Sequence, residues 1–265
     1  MGVIIPFNPN METNTESRLT IILYSVLNME VLTLWLLSLD YRRRVLLLKS
    51  QTMKGLFISG SGTNVGKTLI ASYIIKALSV KYTVVARKPI ESDCIKTADG
   101  LMPKDAVLLN NLCANPEPIS AVCKFRFEAC VSGEKASVEQ GIIVKLQDLV
   151  DAVQPINDDD FVVVEGAGGI YSPIAQQVLN SDLALALKLP VVIVVKDELG
   201  AINQALLSIN AAKKHKLNIV MLVLNQITPN DLGNEEALKA YTDIEVVTFN
   251  QNKIGNFNTK VMALI

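Results

Sequence analysis

Gly60-Ser61-Gly62-Thr63-Asn64-Val65-Gly66-Lys67-Thr68 lies between the apolar run Leu56-Phe57-Ile58-Ser59 and residues 69–78. In that following stretch Ile70, Tyr73, Ile74, Ala77 and Leu78 recur at helical spacing. A strand, a glycine-rich turn and a helix in this order make a phosphate-binding loop. The glycines let backbone N–H groups turn inward, and the start of the helix favours anions. Residues 62–66, that is Gly62, Thr63, Asn64, Val65 and Gly66, then form the cradle. Lys67 reaches the β- and γ-phosphates, and Thr68 ligates Mg²⁺. The loop is one residue longer than the usual spacing, because Ser61 stands where the leading glycine belongs and Gly60 lies one further out.

Outward from the loop, strands and helices alternate. Residues 82–86, 161–164, 191–195, 219–224 and 244–247 read as strands. Residues 105–112, 142–153, 182–189, 201–214 and 235–241 read as helices, with Ser181 as the N-cap of the third. The strands are continuous apolar runs, the signature of a parallel sheet covered on both sides. The expected fold class is α/β: a single P-loop NTPase domain over residues 54–265, its sheet mostly parallel, with helices on both faces. Ligands in such sheets sit beyond the carboxyl ends of the strands.

Three further groups fall at such ends. Glu165 closes the apolar run 161–164 and precedes Gly166-Ala167-Gly168-Gly169. It supplies the carboxylate that a phosphate loop needs to complete a Mg²⁺ site, and the glycines admit a close ligand. The bland reading is an acid at the solvent edge. Asp105 is a second carboxylate, which equally serves as a helix N-cap. Lys88, before Pro89, brings a second ammonium to the edge that holds Lys67. Two lysines and a metal suit a reaction in which charge builds on a transferring phosphoryl group. Alone, Lys88 reads as a surface lysine.

Composition narrows the class. The 265 residues are 50% apolar with a net charge of −1, which argues against a basic surface for nucleic acid. Cys94, Cys113, Cys123 and Cys130 match no zinc spacing, and His215 is the single histidine. Reduced thiols in a cytoplasmic protein follow. Residues 1–53 read differently. Residues 19–39 are mostly apolar and Arg42-Arg43-Arg44 follows, as in a membrane anchor. Against that, Glu30 near the centre would cost about 2.5–3.5 kcal/mol. Three readings stay open: an extension before a true start at Met53, a membrane-associated segment, and a packed helix. The chemistry of the phosphate loop needs none of these residues.

Together the motifs resemble those of the dethiobiotin synthetases. Residues 60–68 match that family's glycine loop, including its extra residue. Lys88-Pro89-Ile90-Glu91-Ser92, Lys104-Asp105-Ala106, Glu165-Gly166-Ala167-Gly168-Gly169, residues 199–207, and Asn225 with Thr228-Pro229 are similar to further family segments. The resemblance covers about residues 54–230. It implies that ATP, Mg²⁺ and carbon dioxide convert the diamine 7,8-diaminopelargonate into a cyclic urea through a phosphorylated carbamate. Lys67 and Lys88 would be catalytic. Thr68, Asp105 and Glu165 would hold Mg²⁺. Glu165, Gly168 and Asn225 would join the loop in binding nucleotide. Thr63, Lys88 and Ser92 would line the substrate site, and Gly200, Ala201 and Asn203 would bind the substrate carboxylate from a partner subunit of a homodimer. Gly62 and Asn64 replace acids frequent in the family, and Gln204 replaces a frequent histidine. A partition-type P-loop ATPase and a nucleotide-regulated binding protein are the rival readings. The first carries an additional lysine early in the loop, absent from Gly60-Ser61-Gly62-Thr63. The second has no need of Lys88.

Overall fold

The strand that feeds the phosphate loop, β1 (Gly55–Gly60), is buried along its whole length, in a computed structural model that describes residues 53–264. The readings of residues 1–52 fall outside that range. The other long strands are β2 (Val84–Arg87), β3 (Phe161–Gly169), β4 (Val191–Lys196), β5 (Ile219–Asn225) and β6 (Val246–Phe249). They form one six-stranded sheet in the order β6-β5-β4-β1-β3-β2, and every pairing is parallel. The strand order reverses at β1, where β2 and β3 lie on one side and β4 to β6 on the other. Loops leaving β1 and β4 therefore part and open a crevice at the carboxyl edge.

Alternate residues of each strand enter two different cores, as period-two side chains must. Phe57, Val162, Val164, Ile193 and Leu222 pack on one face, with helices Asn180–Leu187 and Ala201–Lys214 above them. Leu56, Ile58, Val163, Val194 and Val223 pack on the other, under helices Lys67–Leu78 and Gly255–Ala263. Helices thus cover both faces, as the continuous apolar strands predict. In the helix Lys67–Leu78, Ile70, Ile74, Ala77 and Leu78 are buried, and Tyr73 lies edge-on to Phe249. Among the described residues no helix is long and apolar enough to cross a membrane.

Two helices differ from the periodicity reading. Residues 142–153 are helical only over Leu146–Ala152. Gly141 has φ +66°, Ile143 is exposed, and Val144 enters the core from an extended segment. The helix begins where the Lys145 N–H donates to Asp148 Oδ2 at 2.9 Å. Likewise Ser181 is not a cap. The helix starts at Asn180, and Asp182 Oδ2 accepts from the Leu179 N–H at 2.8 Å. Both misreadings have one cause: the capping carboxylate lies inside the first turn instead of ahead of it. Three small two-stranded pieces (Ile90–Glu91 with Phe125–Arg126, Ile95–Thr97 with Gly100–Met102, and Pro173–Ala175 with Val178–Leu179) went unread, since two or three residues carry no periodicity.

Candidate active site

The loop after β1 is shaped by glycine geometry. Gly66 precedes the helix Lys67–Leu78 with φ 92°, a left-handed conformation that suits glycine. A side chain there would also strike Asn225, with Nδ2 2.0 Å from the added carbon. Asn225 ends β5 and donates from Nδ2 to the Val65 carbonyl at 2.9 Å. It therefore braces the loop from behind, while its own Oδ1 is buried without a partner among the described residues. Lys67 Nζ donates to the Gly62 carbonyl at 2.9 Å, which folds the lysine over the cradle.

The glycine cluster at the end of β3 is held by two residues that sequence reasoning missed. Asn180, fully buried, accepts from the Ala167 N–H at 3.3 Å and donates to the Ala167 and Gly169 carbonyls. Ser172 Oγ accepts from the Gly169 N–H at 2.8 Å. Gly168 has φ 75°, and a side chain there would run into Ser172. The only sequence signal was polar residues set in an otherwise apolar segment, which says nothing of partner or role.

The charged groups converge at the carboxyl edge of β1 and β2, beside Glu165. That residue does not end its strand as the sequence reading has it but lies inside β3, opposite Ile58, because the glycines after it continue the pairing to Gly169. Thr68 Oγ1 donates to Glu165 Oε1 at 3.1 Å. Lys88 Nζ donates to Asp105 Oδ2 at 3.1 Å and is ion-paired with Glu165 Oε1. Lys88 and Glu165 are 4% and 1% exposed, so this pair sits in a medium that screens little. Burial works to lower the Lys88 pKa, but the charges of Glu165 and Asp105 overcome it and raise it above the ordinary lysine range. Asp105 is the mirror case: burial acts to raise its carboxyl, and Lys88 more than offsets this and holds it low. Lys67 goes the other way. Burial, helped by repulsion from Lys88, lowers it to about 8.

A cleft of about 710 Å³ unites the predicted residues Thr63, Asn64, Gly66, Lys67, Thr68, Lys88, Ser92, Asp105, Glu165 and Gly168. Gly62 and Val65 belong to the same loop, and Asn225 stands behind it. Gly200, Ala201 and Asn203 do not line it. They open the helix Ala201–Lys214, where Gly200 has φ 94° and the Ala201 N–H already donates to the Glu198 carbonyl at 3.0 Å. Among the described residues no three His, Cys, Asp or Glu side chains gather as a complete metal cage. Two carboxylates and a hydroxyl do fit Mg²⁺, which takes few protein ligands and completes its shell with phosphate and water. Glu165 Oε2, buried and without a partner among the described residues, fits such a cation.

Residues 54–249 match the family model described as an AAA domain. Over 213 residues the chain is 56% identical to the ATP-dependent dethiobiotin synthetase BioD of Ruthia magnifica subsp. Calyptogena magnifica, covering 80% of this chain and 99% of that one. It is 55% identical to the protein of the same name from Vesicomyosocius okutanii subsp. Calyptogena okutanii, with 80% and 97% covered. The namesake from Pseudomonas paraeruginosa is 37% identical over 70% of this chain and 83% of that one.

Proposed function

The chain belongs to the ATP-dependent dethiobiotin synthetase family, and from that premise we propose how its cleft closes a ureido ring. The activity is that of a ligase in biotin biosynthesis. One amine of 7,8-diaminopelargonate takes up carbon dioxide as a carbamate and sheds a proton. A carbamate oxygen then attacks the γ-phosphorus of ATP, the bond to the β-phosphate oxygen breaks, and ADP leaves. The second amine attacks the carbamoyl carbon and expels phosphate, which completes the ring of dethiobiotin.

The observation that carries this reading is the convergence of Lys67 and Lys88 on one cleft with Thr68, Glu165 and Asp105. Lys67, folded over the cradle, is placed to meet the β- and γ-phosphates. Lys88, anchored by two carboxylates, holds its charge at all working pH values and faces the side where the carbamate and the transferring phosphoryl group carry negative charge. Thr68, Asp105 and Glu165 would hold Mg²⁺, which would neutralise the developing phosphate charge. Thr63 and Ser92 would contact the diamine. Asn225 would meet the base. The exchange of loop acids for Gly62 and Asn64 predicts weaker hold on the ammonium groups, and Gln204 changes the helix that would meet the tail.

The domain boundary belongs at residue 54, the location in the cytoplasm, and the working form is a homodimer with shared sites. The four free cysteines suit a reducing compartment. Leu199, 91% exposed beside Gly200, suits a partner surface at the helix start that would take the substrate carboxylate.

The deciding experiment measures phosphate release by the full chain from ATP and Mg²⁺ with bicarbonate, with and without the diamine. Release that requires the diamine supports the synthetase. Release indifferent to it, or tight ATP binding with none, would move the assignment to a partition-type ATPase or a nucleotide-regulated binding protein.

A further inference from the structure

We propose that Glu91 is a positioning residue of this site: from a separate strand its carboxylate caps the helix Lys104–Asn110 and so fixes Asp105 opposite Lys88. The inference rests on the reading of Asp105 as a metal ligand.

The helix Lys104–Asn110 starts without a cap of its own. Its N-cap is Pro103, which has no side-chain acceptor, yet the first-turn N–H groups of any helix need one. Seven residues are also too few to hold a helix together by propensity. Glu91 supplies what is missing. Oε1 accepts from the Asp105 N–H at 3.0 Å, and Oε2 accepts from the Ala106 N–H at 3.0 Å. Both oxygens are used, and the residue is 3% exposed. A charged acceptor on two backbone donors at a helix start is among the stronger neutral-to-charged hydrogen-bond arrangements.

Glu91 is itself fixed. Ile90 and Glu91 pair with Phe125 and Arg126. Lys88 N–H donates to the Val122 carbonyl at 2.8 Å, Phe125 N–H to the Pro89 carbonyl at 3.0 Å, and Phe127 N–H to the Glu91 carbonyl at 2.9 Å. The strip from Lys88 to Glu91 is therefore clamped at both ends and in between. From this strip Lys88 reaches the Asp105 carboxylate and Glu91 reaches the Asp105 backbone. Asp105 is gripped at both ends by residues three apart. An ordinary cap would add stability alone. This cap sets the position of the one candidate ligand that does not sit on the phosphate-loop helix or the central sheet.

The test uses the full chain as wild type, Glu91→Gln and Glu91→Ala. Mg²⁺ is titrated into each protein saturated with a fluorescent ATP analogue, and nucleotide affinity is measured separately in chelator. The expected result is a Mg²⁺ dissociation constant raised about 10- to 100-fold in Glu91→Ala, the usual range for loss of a partner behind a metal ligand. Glu91→Gln, which keeps one acceptor oxygen, should fall between. Affinity without Mg²⁺ should not change, because the loop is untouched. Folded variants with wild-type Mg²⁺ affinity would overturn the inference, however far their melting temperatures fall. If Glu91→Ala does not fold, Glu91→Gln decides by the same criterion. A wild type that binds nucleotide equally with and without Mg²⁺ would overturn the metal reading and this inference together.

Discussion

Lys88 and Glu165 meet side chain to side chain at the floor of the cleft because β2 and β3 are neighbours in register. Arg87, the last residue of β2, lies opposite Val164, so the residues that follow them, Lys88 and Glu165, fall side by side. Both are almost wholly buried. A buried pair is weak evidence of stability, but removing one member strands the other. Lys88→Met and Glu165→Gln should each destabilise the protein by about 3 kcal/mol. The double variant should lose less than the sum of the two, which a denaturant cycle reads directly. All three should turn over at least about 100-fold more slowly, as for loss of one charge-stabilising donor. Additive losses would mean that the two groups do not share one environment.

The two loop glycines should respond unequally. Gly66→Ala places a methyl on Asn225 Nδ2 and forces alanine to φ 92°. It should cost about 2–3 kcal/mol in strain and contact and weaken nucleotide binding at least about tenfold as the cradle distorts. At Gly62 an added carbon meets nothing within 4 Å among the described residues, so Gly62→Ala should stay within about 0.5 kcal/mol of wild type. Thermal melts with and without ATP distinguish them. Equal effects would refute the bracing role of Asn225.

The loop, the order of the long strands along the chain and the two-sided burial were legible because each rests on local signals: glycine placement, run length and period. Lys67, Lys88 and Asp105 were legible for the same reason, as they stand at strand ends or helix starts, and Glu165 was legible as the acid that breaks an apolar run, although its strand continues to Gly169. What pairs with what was not legible. Nothing near Asn180 in sequence marks it as the brace of the glycine cluster, thirteen residues away from its Ala167 contact. Glu91 reads as part of a short segment until the helix it caps is seen fourteen residues later. Such contacts are set by tertiary packing, which periodicity does not encode.

Arg87 belongs to that unread class. It is 1% exposed, forms a bidentate pair with Glu117, and donates to the Ala86 and Gln154 carbonyls at 2.9 and 3.2 Å. Glu117→Ala leaves a buried guanidinium with carbonyl partners alone, and should destabilise the fold by about 3–5 kcal/mol. Glu117 does not line the cleft, so the KM for ATP should hold in the folded fraction. A changed KM with an unchanged melting temperature would give Glu117 a place in the site instead.

Lys67 offers a test in protons. Burial and then Lys88 lower its pKa from 10.5 to about 8. The folded chain therefore binds fewer protons than the unfolded one between those two values, and this group favours folding more as pH rises across that window. Phosphate oxygens placed beside Lys67 act in the opposite sense, since an anion favours the charged form. Binding of ATP in chelator should accordingly take up protons near pH 8 to 9, and take up none near pH 6.5, where Lys67 is already charged. Calorimetry in two buffers of different ionisation enthalpy measures the uptake. Lys67→Met should abolish it along with most of the affinity, whereas Lys88→Met, which removes the repelling charge, should shift its onset to higher pH. Uptake that is the same at both pH values would mean that Lys67 stays charged throughout, and that its partners outweigh its burial.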